Sequence, residues 1–162
     1  MTDAPGAGGR VSDAPWDRAS LPSPVIPLED SFEGFLGLEW LELGPESAHV
    51  QFRVRQNLKQ PLGLMHGGIY AAVAETVASV ATVNNVWRHG FTGSGLSNYT
   101  SFLRPITDGV VDVQAHLRGH DEREWTWNLE FRDDQDRLCV LVEVTIAVRP
   151  APPISARPPV PR

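Results

Sequence analysis

The sequence has little cysteine, no excess of positive charge and no long apolar run, and each shortage excludes a class of protein. Cys139 is the only cysteine among 162 residues, so an intrachain disulfide is impossible and a cytoplasmic location is expected. Its strand-like setting favours a buried structural thiol over a nucleophile. The formal net charge of −6 argues against a general nucleic-acid binder. No apolar run is long enough to cross a membrane, and the N-terminus lacks the order of a secretory signal.

Several catalytic and ligand-binding motifs are absent as well. No Gly-x-Ser-x-Gly sequence occurs, which removes the serine hydrolases that use a nucleophile elbow. His116 and His120 are four residues apart on a predicted strand, so their side chains would be too far apart to share a metal. The glycines of residues 90–95 lack the strand-to-helix context of a dinucleotide loop and predict a turn. We therefore expect no metal and no cofactor.

Proline and small polar residues dominate both ends of the chain. Residues 1–27 have no hydrophobic period and predict a mobile N-terminal arm. Residues 150–162 are rich in proline and predict a second tail that neither pairs as a strand nor continues a helix. One domain is expected between them, at residues 28–149.

Within this domain, apolar and polar residues alternate in most segments, which predicts strands. One segment, residues 68–87, is instead rich in alanine and valine without a helix breaker, and its length favours a helix. The helix is apolar nearly all round, so it should be buried. The combination predicts an α+β fold in which an antiparallel sheet wraps around one long central helix. The predicted strands are residues 48–55, 94–103, 111–118, 125–132 and 138–148, with a less regular one at 38–43 and a turn at 133–136.

Glu75 is the unusual residue of this helix. Its helical neighbours one turn away are all small, and no Lys or Arg lies within one turn to pair with it. A carboxylate in such surroundings is costly unless it is paired or solvated, so it is a candidate catalytic group. The alternative is a structural carboxylate that bonds a backbone amide or a distant arginine.

The helix begins at a glycine pair, Gly67-Gly68, which follows His66. Glycines allow a ligand to approach the backbone closely, and first-turn N–H groups have no partner within the helix. With the helix dipole, these groups could hold an oxygen that becomes negative during attack on a carbonyl. The alternative is a plain glycine-rich turn.

Gly67 and Glu75 are eight residues apart, which corresponds to about 12 Å along a helix axis. Groups that act on one carbonyl must each lie within about 3 Å of it or of its attacking water. One helix cannot satisfy both requirements. Two antiparallel helices from different subunits can, so the spacing predicts an active site at a dimer interface.

The run from His66 to Glu75 resembles the His-Gly-Gly plus downstream Glu signature of the hotdog-fold acyl-CoA thioesterases. Within that family, four further segments resemble the Arthrobacter-type 4-hydroxybenzoyl-CoA thioesterases, and the resemblance covers most of residues 28–150. It implies a hotdog fold, an acyl-CoA substrate with an aromatic acyl group of the hydroxybenzoyl or phenylacetyl kind, and a homotetramer with the dimer as its active unit. The segments are residues 97–105, 125–127, 132–139 and 146–150.

The resemblance also implies roles for individual residues. Glu75 matches the catalytic carboxylate, as nucleophile or as general base toward water, and Gly67 matches the residue whose N–H polarises the thioester carbonyl. Three further matches complete the catalytic group: Gln60 near the thioester, Ser79 as a hydroxyl that positions the attacking water, and His66 as a structural or substrate-side histidine. The substrate-binding residues implied are Gly68, Arg104 and Arg149, the two arginines toward the nucleotide phosphates.

One segment departs from the subfamily pattern. Residues 121–124 are Asp-Glu-Arg-Glu, where the subfamily has small hydroxyl residues, and this affects the CoA contacts and the aryl preference that the resemblance implies. Two alternatives to a thioesterase stay open: a hotdog protein that binds acyl-CoA without catalysis, and a hotdog dehydratase. A dehydratase typically places its histidine inside the helix, whereas His66 precedes the glycines.

Overall fold

An antiparallel sheet wraps around one side of a long helix in the computed structural model, which describes residues 26–152. Most of the predicted N-terminal arm and C-terminal tail therefore lies outside the described residues. The elements are α1 (Phe32–Leu36), β1 (Glu39–Leu43), β2 (Ser47–Arg53), α2 (Gly67–Val86), β3 (Phe91–Phe102), β4 (Val110–His120), β5 (Glu124–Arg132) and β6 (Leu138–Pro150), with short 3₁₀ turns at Leu28–Asp30, Gln56–Leu58 and Trp87–His89.

The six strands are ordered β1-β2-β4-β5-β6-β3, and all neighbours are antiparallel. β3 therefore forms one edge of the sheet, although it follows α2 directly in the chain. Its pairing with β6 shifts between Gly95 and Ser97, which places a bulge at Leu96. The predicted α+β fold, with its antiparallel sheet around one long helix, is confirmed.

The core lies between α2 and the inner face of the sheet. Helix positions Val73, Val77 and Ala81 are fully buried there. A hydrogen bond crosses this apolar layer, because Trp127 Nε1 donates to Thr82 Oγ1 at 2.9 Å. The strand residues that line the core alternate as the sequence pattern predicts and include Val50, Phe52, Val111, Val113, Leu129, Phe131, Val140, Val142, Val144 and Ile146. Cys139 is also fully buried, as predicted.

The helix is not buried on all sides, and this corrects the expectation drawn from its composition. Glu75, Thr76, Ser79 and Val83 are only half-buried, although β3 approaches this side of α2 at Gly93 and Gly95. The apolar composition of a helix does not show whether each of its faces is covered by its own chain or is left for a partner chain to cover.

The ends of two strands also differ from the sequence prediction. Residues 91–95 belong to β3 and do not form a turn; only Gly90, with φ of 82°, adopts the left-handed turn conformation. At the other end, β6 includes Pro150, one residue beyond the predicted domain boundary, opposite Phe91. Proline is tolerated at such a terminal strand position because no ladder N–H is needed there.

Helix α1 was missed by the sequence prediction because it is too short to show a hydrophobic period. Its capping residues were the available signal. Ser31 Oγ accepts a hydrogen bond from the Gly34 N–H, and Gly37 ends the helix with φ of 69°. The predicted turn at residues 133–136 is confirmed, since Asp133 Oδ1 accepts hydrogen bonds from the backbone N–H groups of Gln135 and Arg137.

Candidate active site

Backbone hydrogen bonds from neighbouring segments hold the start of α2. The Met65 N–H donates to the Ile106 carbonyl, and the His66 N–H donates to the Leu58 carbonyl, each at 2.9 Å. His66 then caps the helix, because its Nδ1 accepts a hydrogen bond from the Gly68 N–H at 2.9 Å. A β-carbon added at Gly68 would lie 3.1 Å from His66 Nδ1, so glycine at this position makes room for the cap.

This cap leaves the N–H of Gly67 without an acceptor among the described residues. The Gly68 N–H donates to the His66 ring and the Ile69 N–H donates to the His66 carbonyl, so the two amides that follow are satisfied. Gly67 is the first residue of a 20-residue helix, where the positive end of the helix dipole lies. Its N–H is therefore suited to bind a partly negative oxygen.

A groove of about 340 Å³ opens beside this N–H. Arg104 is the only charged residue among the described residues that line it, and the Arg104 Nη1 donates to the Leu138 carbonyl at 2.7 Å. The groove is therefore mainly apolar with a guanidinium on its wall. Its other lining residues are Leu64, Met65, Gly67, Tyr70, Phe102, Leu103 and Pro105.

Glu75 lies two turns further along α2, on the half-buried face. Ser79 Oγ donates a hydrogen bond to Glu75 Oε1 at 2.8 Å, which is the i, i+4 contact of one helix face. Among the described residues, no Lys, Arg or His forms an ion pair with this carboxylate. The structural alternative, an arginine partner for Glu75, therefore finds no support within the described chain.

Strand β3 lies against the carboxylate of Glu75. Gly95 faces Glu75, and a β-carbon added there would lie 3.0 Å from Glu75 Oε1. One position further along this inner face, Asn98 Nδ2 donates to the carbonyl of Ala71 at 3.0 Å and ties β3 to the same stretch of helix. Sequence analysis missed both residues; a glycine in the interior of a predicted strand is the signal that could have indicated a close approach.

The structure brings the predicted residues together in two groups. His66, Gly67 and Gly68 meet at the start of α2, and Glu75 and Ser79 meet two turns later. Eight residues of helix separate Gly67 from Glu75, about 12 Å along the axis, so one chain does not place both on one carbonyl.

The remaining predicted residues occupy different places. Gln60 lies in the turn that precedes α2, where its N–H donates to the Leu64 carbonyl and its side chain is half-buried. Arg104 follows the end of β3 beside the groove, whereas Arg149 pairs with Thr92 at the opposite end of that strand. Ten residues of strand, about 30 Å, separate the two ends, so the two arginines do not form one phosphate site within a chain.

The described residues lack features of two other classes of protein. Between Ile26 and Pro152, no helix has the length and hydropathy that are needed to cross a bilayer. In the same part of the chain, no group of three or more His, Cys, Asp or Glu side chains is placed to hold a metal ion.

Comparison with known proteins identifies the family. The Thioesterase superfamily model matches residues 62–140, a range that contains the start of α2, Glu75 and β3 through β5. A Mycobacterium tuberculosis protein named as an esterase is 37% identical over 131 residues, which cover 77% of this chain and 94% of that protein. The chain therefore belongs to the thioesterase superfamily of hotdog-fold proteins.

Solved structures agree with this assignment. The structure of the same Mycobacterium tuberculosis protein has a TM-score of 0.71 at 35% identity and covers 75% of this chain and 98% of that one. A thioesterase structure from Haemophilus influenzae has a TM-score of 0.72 at 27% identity, with 78% and 88% of the two chains covered. A further relative at 28% identity is the 1,4-dihydroxy-2-naphthoyl-CoA hydrolase of Escherichia coli, with 74% of this chain and 88% of that protein covered.

Proposed function

We propose that this protein hydrolyses the thioester of an aromatic acyl-CoA to the free acid and CoA. The observation that carries the proposal is Glu75: a carboxylate on a half-buried helix face, hydrogen-bonded by Ser79, without a cationic partner among the described residues. Such a group is available either to attack a carbonyl carbon or to accept a proton from water.

The Gly67 N–H supplies the second requirement of thioester hydrolysis. Attack on the carbonyl carbon moves negative charge to its oxygen, and an N–H at a helix start stabilises that charge. The C–S bond then breaks, and the sulfur leaves as a thiolate that takes up a proton. In the general-base route Glu75 removes a proton from the attacking water; in the nucleophilic route it forms an acyl anhydride that water then hydrolyses.

We infer that the working unit is a dimer in which Gly67 of one subunit faces Glu75 of the other. The 12 Å spacing on one helix supports this, as does the half-buried face of α2. The free edge strand β3 adds support, because Leu96 and Tyr99 are 53% and 76% exposed along it. We extend this to a tetramer built from two dimers, as the family resemblance implies.

The aromatic acyl group is the finer part of the proposal. It is supported by the apolar groove beside Gly67 and by the aromatic substrate in the name of the Escherichia coli relative. The resemblance to Arthrobacter-type 4-hydroxybenzoyl-CoA thioesterases points the same way. Gln60 near the thioester, Arg104 and Arg149 toward the CoA phosphates, and a cytoplasmic location complete the proposed assignment.

The test is a panel of CoA esters with benzoyl, 4-hydroxybenzoyl, phenylacetyl and straight-chain acyl groups, assayed by release of the thiol. We expect Glu75→Gln to lower kcat by about 10²- to 10⁴-fold, since an amide neither attacks nor accepts a proton. Glu143→Gln, on the outer face of the sheet, is the matched control and should keep its activity.

Two outcomes would contradict the proposal. If Glu75→Gln retained the wild-type rate, Glu75 would not be the catalytic carboxylate. If the wild type bound CoA esters without turnover, the non-catalytic binding protein would be the correct reading. Single-turnover hydrolysis in ¹⁸O-labelled water identifies the nucleophilic route when label enters the Glu75 side chain, which happens only if water attacks the Glu75 carbon of the anhydride; attack on the acyl carbon, like the general-base route, puts the label into the product acid.

A further inference from the structure

We propose that Phe102 determines which acyl groups this protein accepts, by forming the wall of the groove against which the acyl group packs. The inference rests on the proposed function and assigns a specificity role to a residue that no catalytic step requires.

Phe102 lies directly beside the proposed oxyanion donor. A β-carbon added at Gly67 would be 3.1 Å from Phe102 Cζ and 3.4 Å from Cε1. A thioester oxygen that accepts the Gly67 N–H would lie about 3 Å from that nitrogen. The acyl substituent on the same carbonyl carbon can then reach the Phe102 ring.

The Phe102 ring is exposed on one side and supported on the other. It is 60% exposed, although burial of a phenylalanine side chain is worth about 1.5–3 kcal/mol. Its supported side packs edge-on against Tyr70, with ring centroids 5.9 Å apart and an interplanar angle of 65°. An exposed aromatic ring with a fixed support is suited to bind another flat apolar group.

Tyr70 is fixed in turn by the core. It is 3% exposed and packs edge-on against Phe131, which is fully buried, at a centroid distance of 5.5 Å. Burial raises the pKa of Tyr70 to about 12, although a hydrogen bond with the Ile106 backbone acts in the opposite direction. The phenol therefore stays neutral, and the wall that Phe102 and Tyr70 form is uncharged.

The rest of the groove also offers apolar contacts to a ring. Met65, Leu103 and Pro105 complete its lining, and its polar component beside Gly67 is Arg104, which the Leu138 carbonyl holds. Because the wall is rigid, its position should limit the size of the ring that reaches the Gly67 N–H. Removal of the Phe102 ring should admit larger rings.

The experiment compares kcat/KM for benzoyl-CoA and 2-naphthoyl-CoA in the wild type, Phe102→Ala and Phe102→Leu. We expect Phe102→Ala to change the naphthoyl-to-benzoyl ratio by roughly tenfold or more in favour of naphthoyl, since pocket contacts of this size discriminate substrates by such factors. Phe102→Leu keeps an apolar side chain and should give an intermediate ratio. Phe32→Ala is the matched control, because Phe32 is a phenylalanine of similar exposure, 57%, that lies on α1 and does not line the groove, so its ratio should stay at the wild-type value.

Two results would overturn the inference. Equal loss of kcat/KM on both esters in Phe102→Ala would mean that Phe102 contacts the CoA arm, which the two esters share. An unchanged ratio in both Phe102 variants, with folding verified by circular dichroism, would mean that the acyl group lies elsewhere. Wild-type protein that hydrolyses neither ester would overturn the proposed function itself, and this failure is distinguishable because it precedes any substitution.

Discussion

Gly95 on β3 lies directly beneath the carboxylate of Glu75 on α2, so close that a β-carbon at Gly95 would be 3.0 Å from Glu75 Oε1 and 3.3 Å from Cγ. The absence of a side chain at this strand position is what gives the carboxylate its place between helix and sheet. This relationship links a residue that sequence analysis selected to one that it overlooked.

We predict that Gly95→Ala lowers kcat by about 100-fold while the protein stays folded, because the added methyl group pushes the carboxylate out of position. Two other strand glycines provide comparisons. A β-carbon at Gly93 would lie 2.8 Å from Ile146 Cγ2, so Gly93→Ala should lower thermal stability through core strain. A β-carbon at Gly119 meets nothing within 4 Å, so Gly119→Ala should leave kcat unchanged. Equal kcat values for Gly95→Ala and Gly119→Ala would contradict the assigned role of Gly95.

The Gly67 N–H can be removed without disturbing the helix. Proline is favoured at the first helical position, and His66 already has the extended backbone, φ −68° and ψ 131°, that the residue before a proline requires. Gly67→Ala adds a β-carbon in the same place but keeps the N–H, so it is the matched control for contact with Phe102. We predict that Gly67→Pro loses about 10²- to 10³-fold in kcat beyond Gly67→Ala, as expected for loss of one oxyanion donor. Similar rates for the two variants would show that the N–H does not contribute.

Two inactive variants should restore activity when they share a dimer. In a heterodimer of Gly67→Pro and Glu75→Gln, one site combines the intact Glu75 of the first subunit with the intact Gly67 of the second, and the other site has both defects. Random reassortment makes half of the dimers mixed, with one intact site each, so activity should recover to roughly a quarter of wild type. The two variants are co-refolded in equal amounts, and mixed dimers are verified by native mass spectrometry. Mixed dimers without recovered activity would mean that each site is built within one chain.

The turn between β5 and β6 should make the stability of the fold depend on pH in the acid range. Arg137 Nε donates to Asp133 Oδ2 at 2.8 Å, and this hydrogen bond lowers the pKa of Asp133 from its ordinary 3.8 to about 2, with backbone N–H groups acting in the same direction. A carboxyl group whose pKa is lower in the folded state contributes stability above pH 4, and that contribution is lost as the pH falls toward 2. Asp133→Asn should therefore unfold at lower urea concentration at pH 7, and the difference from wild type should shrink between pH 4 and pH 2. Asp134→Asn, in the exposed part of the same turn, serves as the control. A difference in urea midpoint between Asp133→Asn and wild type that stays constant with pH would contradict this account.

Local patterns were sufficient for the helix and most strands. Alternation predicted β2, β4, β5 and β6 because their inner residues face one core, and the alanine-rich run predicted α2 because its length suits no strand. The short helix α1 and the early start of β3 were missed. Capping residues mark α1 and glycines mark the start of β3, and neither segment has a hydrophobic period.

In the candidate site too, some features follow from local sequence and others only from the tertiary structure. The sequence by itself determined that His66, Gly67 and Gly68 begin a helix and that Glu75 and Ser79 share one face of it, because these are local consequences of helix geometry. Only the tertiary structure decided that Gly95 lies beneath Glu75 and that Phe102 lies beside Gly67, because these contacts join residues 20 and 35 positions apart. They depend on how β3 folds back along α2 to reach β6, and that arrangement follows from packing of the whole sheet against the helix.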